Sequence, residues 1–223
     1  MITAVRKPFA EISASLEPYR RVLVLGCGTC VTVCMAGGEK EVGVLASTLR
    51  LADREHGRSR EVLEATIERQ CDREFFDAVA GEVRSVEAIL SMACGVGVQF
   101  LGEVFPDAVV LPGLDTKFYG ATVEQGVWSE RCSGCGTCVV GDFGGICPVT
   151  RCSKSLLNGP CGGSRNGKCE VDPKSIDCGW QLIYDRMKRL GLLDRLERVQ
   201  PPKDWSTGRG GGPGKIVRED VTL

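Results

Sequence analysis

Thiols constrain this chain more than any other residue type: thirteen cysteines stand among 223 residues, beside a single histidine. Eight of them fall between Cys132 and Cys178, opening with Cys132, Cys135 and Cys138 and then the pair Cys147-Pro148. A segment that devotes so many positions to cysteine and glycine has little to bury, so its folding depends on the cross-links it forms. Disulfides are one such cross-link. Against them stand the odd cysteine count, the recurring C-x2-C spacing, in which neighbours rarely bridge, and a first stretch of twenty residues without the apolar core of a secretory signal. Soft-metal ligation is the reading that remains, iron–sulfur clusters foremost.

Charge excludes other classes. With 28 basic and 29 acidic residues the formal net charge is -1, and no basic block precedes the tail, so no nucleic-acid footprint is expected. No run of about 18 apolar residues occurs, so membrane insertion is not expected and the expected location is cytoplasmic. A chain of 24.0 kDa supports one good core and a small appendage. We divide it into a parallel α/β domain at 1–120, a cysteine-rich ferredoxin-like lobe with a helix at 121–200, and an extended tail at 201–223.

In the first part, residues 1–20 read as a lead-in. RRVLVLG (20–26) reads as a strand buried on both faces, and 35–52 as a helix through Val42, Leu45 and Leu49. EVLEATIE (61–68) is a second strand. Asp72 is placed to cap a helix carrying Phe75, Phe76 and Val79 inward. SVEAILSM (85–92) is a third strand, 95–105 a helix and DAVVLPGL (107–114) a fourth strand. Alternating strands and helices predict an α/β fold with a parallel sheet and flanking helices. Cys27, Cys71 and Cys94 each follow a strand, and such sheets place their sites outside the strands' carboxyl ends. Topology therefore brings together residues more than 60 apart in sequence.

GCGTCVTVC (26–34) adds Cys30 and Cys34, one thiol more than a four-iron cluster takes. Cys71 and Cys94 are the firm ligands. Cys30 and Cys34 share a helical face at four-residue spacing and are slightly favoured, which leaves Cys27 as the least certain ligand and a candidate small core residue. In the second group, Cys132, Cys135, Cys138 and Cys147-Pro148 match the bacterial ferredoxin run except for the gap before the last cysteine. Structural zinc is the alternative there, because C-x2-C knuckles serve it equally well. Adding Cys152, Cys161, Cys169 and Cys178 gives eight thiolates, enough for two cubanes. A plausible division sets Cys132, Cys135, Cys138 and Cys178 against Cys147, Cys152, Cys161 and Cys169.

Other motifs carry no function. GRGGGPGKI (208–216) has Arg209 and Ile216 where a phosphate-binding loop needs glycine and Ser/Thr. Gly26-Cys27-Gly28 lacks the third glycine of a dinucleotide fingerprint. His56 lies in a charged stretch, and no residue set reads as catalytic. Residues 179–197 recover a helical pattern on Leu182, Ile183, Met187 and Leu190, with Gly191 as break or cap.

NGPCGGSRNGKCEVDPKSIDCGWQLIYDRM (158–187) resembles the cysteine-rich C-terminal domain associated with methylenetetrahydrofolate reductase. VLVLGCGTCVTVCMAGG (22–38) and CSGCGTCVVGDFGGICPVTRCSKSLLNGPC (132–161) are similar to the small iron–sulfur subunit of the acetogen-type reductase complex. The resemblance implies an electron-transfer subunit with about three [4Fe–4S] clusters and no active site of its own. It implies a flavin-containing catalytic subunit as partner, holding FMN and interconverting methylenetetrahydrofolate and methyltetrahydrofolate, with further electron-donor subunits. A zinc-binding docking subunit of the same complex is the alternative, and the positions carried over are the cysteines alone.

Overall fold

The first twenty residues are not a mere lead-in. In the computed structural model, which describes residues 1–220, they form strand β1 (Ile2–Arg6) and helix α1 (Phe9–Ser15). The chain divides into two units, one from Met1 to Trp128 and one beginning at Ser129.

After α1 come β2 (Arg21–Cys27), the single turn α2 (Cys30–Val33), α3 (Glu39–Glu55) and β3 (Glu61–Ile67). A 3-10 turn at Arg73–Val79 leads into α4 (Ala80–Ser85), then β4 (Ala88–Ser91), α5 (Gly95–Val104) and β5 (Val110–Pro112). Asp72 precedes that turn without a side-chain cap bond. Strands β2 to β5 form one parallel sheet in the order β3-β2-β4-β5. Strand β1 belongs to a second sheet, in the order β1-β6-β7, with β6 (Leu114–Glu124) antiparallel to it and β7 (Val127–Cys132) outside.

Strand β2 is central, and its period-2 alternation sends neighbouring side chains to opposite faces. Val22 and Val24 enter a core with Ile12 and Leu16 beside α3 residues Val42, Leu45 and Leu49. Leu23 and Leu25 enter the opposite core with Phe76, Val79, Val83 and Leu101. Each buried side chain of this size contributes about 1.5–3 kcal/mol, so both faces of the sheet are held by helices. The parallel α/β fold expected from the sequence is seen. The strand order reverses at β2: the chain leaves it for β3 on one side and returns to β4 on the other. The carboxyl ends of β2 and β4 therefore flank a topological switch point, where such sheets open a crevice.

The second unit has short elements. A 3-10 turn at Val140–Phe143 and α6 (Pro148–Arg151) precede the hairpin β8 (Lys168–Cys169) and β9 (Asp172–Asp177). Helix α7 (Gly179–Leu190) follows and ends at Gly191, whose φ of 69° gives the left-handed cap. Its core gathers Phe143, Cys178, Trp180, Ile183 and Met187, with the Phe143 and Trp180 rings edge-to-face at 5.5 Å. The stretch from 201 onward was expected to be extended. Its described part holds short 3-10 turns at Trp205–Thr207 and Arg209–Gly211, and the first contacts the Cys132–Cys138 loop. No helix among the described residues is long and apolar enough to cross a membrane.

Candidate metal centre

At the switch point, Cys27, Cys30, Cys71 and Cys94 line one concavity of about 360 Å³, counting its open mouth. Each arrives from a different piece of local structure. Cys27 is the last residue of β2, Cys30 the first of α2, Cys71 follows β3 by four residues, and Cys94 caps α5. Ile2, Val31, Ala93 and Val96 supply apolar walls, and no charged side chain lines the space. The sulfurs feel one another: burial pushes the Cys71 thiol up, and Cys27 and Cys94 push it the same way. Val96 and Gly97 on the lining belong to the first turn of α5.

Cys34 is placed elsewhere. Its Sγ lies 3.6 Å from the Val31 carbonyl oxygen and faces the core beneath β1, and burial raises its thiol above the ordinary value. The sequence slightly favours Cys30 and Cys34, on one helical face, over Cys27; the structure lines the concavity with Cys27 and Cys30, and Cys34 is not on that lining. The helix stops after one turn, with Met35 at φ 53°, so Cys34 turns inward while Cys27 stays on the concavity.

In the second unit, two C-x-G turns aim backbone N–H groups at sulfur: Gly134 donates to Cys132 Sγ at 3.4 Å, and Gly163 to Cys161 Sγ at 3.5 Å. N–H bonds to ligand sulfur are one way a protein tunes an iron–sulfur centre. Cys161 lies 3.6 Å from Glu170 Oε1, and Glu170 is paired with Lys154. Cys161 and Cys169 both raise the Lys154 ammonium further, so the two sulfurs share that neighbourhood. The Ser153 hydroxyl at 3.4 Å, with the backbone of Val171 and Asp172, holds the Cys169 thiol below its ordinary value. Cys178 is buried beside Cys152, whose backbone nitrogen abuts Gly179. Cys147 precedes Pro148 at the start of α6, and Cys135 and Cys138 lie in the loop after Cys132.

A family model described as methylene-tetrahydrofolate reductase C terminal matches residues 111–206. That span holds all eight distal cysteines and none of the four on the sheet edge. No curated protein and no solved structure matches the chain.

None of the thirteen cysteines is paired in a disulfide. No group of three or more His, Cys, Asp or Glu side chains among the described residues is arranged to hold a single metal ion. A lone zinc needs sulfurs about 2.3 Å from one point; a cubane offers four irons at separate corners and takes thiolates that stand further apart. Four thiols line one apolar concavity here, a donor set of the chemical type that an iron–sulfur cluster takes. The sequence did not single out Gln70, which also lines this space; its only hint was adjacency to Cys71.

Proposed function

We propose that this chain is an electron-transfer subunit that holds iron–sulfur clusters and serves a methylenetetrahydrofolate reductase-type flavin subunit. The observation that carries the reading is the meeting of Cys27, Cys30, Cys71 and Cys94 on one concavity at the sheet's carboxyl edge. The match over 111–206 supports the link to one-carbon chemistry. In this reading the four sheet-edge thiolates bind one [4Fe–4S] cluster and Cys34 is the spare thiol. The eight distal thiolates hold two more, and Gly134 and Gly163 direct N–H groups at their sulfurs. A bound cluster supplies one-electron transfer. The chain's own residues bind it, screen it from water and set its potential; folate and FMN belong to the partner.

Anaerobic purification followed by metal analysis and EPR of the reduced protein tests this. The expected result is about twelve irons per chain with matching acid-labile sulfide, and a visible absorbance band. Zinc in place of iron at the distal cysteines would turn the second unit into a structural module. A chain with neither iron nor labile sulfide would end the electron-transfer reading.

A further inference from the structure

Gln70 and Ser91 are polar side chains that are both completely buried. The Gln70 carboxamide is fully engaged. Its Nε2 donates to the carbonyl oxygens of Leu25 at 2.8 Å and Gly26 at 3.0 Å, the two residues before Cys27. Its Oε1 accepts from the Ser91 hydroxyl at 2.6 Å, and Ser91 ends β4 three residues before Cys94. One side chain therefore ties the segment carrying Cys71 to both strands that lead to Cys27 and Cys94.

The sheet ladder does not make this tie. Strand β3 ends at Ile67, and the β2–β4 register ends at Leu25 opposite Ser91. The β2–β3 ladder reaches Cys27 opposite Ile67, but beyond these points the ends carrying Cys71 and Cys94 depend on other bonds for their spacing. Helix α5 packs against the root of that side chain: a Cβ on Gly97 would stand 2.8 Å from Gln70 Cβ. Buried polar networks satisfied at every member are rigid, and outer-shell partners of this kind orient the ligands beside them.

We propose that Gln70 and Ser91 are positioning residues for the sheet-edge cluster, their hydrogen bond fixing where the Cys71 sulfur stands relative to Cys27 and Cys94. The inference rests on the cluster reading of that concavity. Loop closure alone would need the same bonds for stability, but it would leave the spectrum of a bound cluster unchanged.

The test uses the full chain, purified anaerobically, with Cys94→Ser marking which irons belong to this site. In Ser91→Ala, those irons should pass to an excess of iron chelator about tenfold faster than in the wild type. The EPR signal of the reduced sheet-edge cluster should shift, with the thermal midpoint moving only a few degrees. Ser91→Thr and Ser91→Val have nearly equal volume and differ in the hydroxyl. The threonine variant should behave as wild type and the valine variant as Ser91→Ala, a comparison that stands even if Ser91→Ala folds poorly. Equal release rates and equal spectra for threonine and valine, with Cys94→Ser still losing its irons, would overturn this inference and leave the cluster reading intact. A Cys94→Ser chain with an unchanged iron count would remove both.

Discussion

The Sγ of Cys34 stands 3.5 Å from the backbone carbonyl oxygen of Ala4 on β1, where 5% of the residue remains exposed. With its thiol donating to that buried carbonyl oxygen, Cys34 packs as a core residue with a weak donor. That contact separates Cys34 from the four cysteines on the concavity.

Cys34→Ala should therefore keep its full iron complement and lose about 1 kcal/mol of stability, whereas Cys27→Ala should lose about four irons. Iron analysis of the two variants, beside urea unfolding of the first, checks both halves. Loss of four irons from Cys34→Ala with none lost from Cys27→Ala would reverse the assignment.

Gly97 sits where α5 crosses Gln70. An added Cβ would meet Ala93 Cβ at 2.7 Å and Gln70 Cβ at 2.8 Å, neither of them the free end of a flexible chain. Alanine is the better helix former by about 1 kcal/mol, and overpacking costs about 1–3 kcal/mol. The clash should win: Gly97→Ala is expected to unfold at lower urea concentration than the wild type, and a more stable variant would refute the close approach.

The central strand, its two faces and the cysteines at the strand ends could be read locally. A Val/Leu run between a polar start and a glycine has few other solutions, and topology alone carries Cys27, Cys71 and Cys94 to one edge. Strands β1 and β6 could not be read this way. Their pairing, with Ile2 opposite Tyr119, spans more than a hundred residues, and the polar, partly exposed DTKFYGATVE stretch gives no local sign of it. That omission hid the fate of Cys34, because the surface that buries it includes β1. Spacing of i, i+4 implies a shared face only while a helix continues, and α2 does not. Gln70 sits in the charged run ERQCD, which gives no local sign of burial; its burial follows from the meeting of β2, β4 and α5, which no local pattern encodes.

Acid should weaken the first unit through Glu87. Its carboxylate accepts from the backbone N–H of Arg21 at 2.9 Å and of Arg20 at 2.5 Å, and these bonds hold its pKa below the ordinary carboxylate value. A folded pKa lowered in this way gives stability that is fully present above the unfolded value, about 4.3, and lost as pH falls through the folded one. Glu87→Gln keeps an acceptor oxygen without the titration. The urea midpoint of the wild type should fall more steeply than that of Glu87→Gln below about pH 4.5. Parallel pH profiles would exclude Glu87 as a source of the acid sensitivity.

In the second unit, the turn at Trp205–Thr207 braces the first cysteine loop. Thr137 N–H donates to Thr207 Oγ1 at 3.1 Å, Lys203 Nζ donates to the Thr137 carbonyl oxygen, and Gly208 lies against the Cys135 backbone. Gly136 permits this contact twice over: its φ is 81°, and a Cβ there would run into Thr207. Gly136→Ala must therefore strain the loop, at about 1–2 kcal/mol for the left-handed conformation, or push the turn away. The turn is the less costly part to move, since it has no buried residue to anchor it. Limited trypsin digestion should then cut after Lys203 and Arg209 faster in Gly136→Ala than in the wild type, while cleavage after Arg186 and Lys188 in α7 is unchanged. Equal rates at all four sites would show that the turn does not depend on this glycine, and the brace would have to be assigned to the Lys203 and Thr207 hydrogen bonds alone.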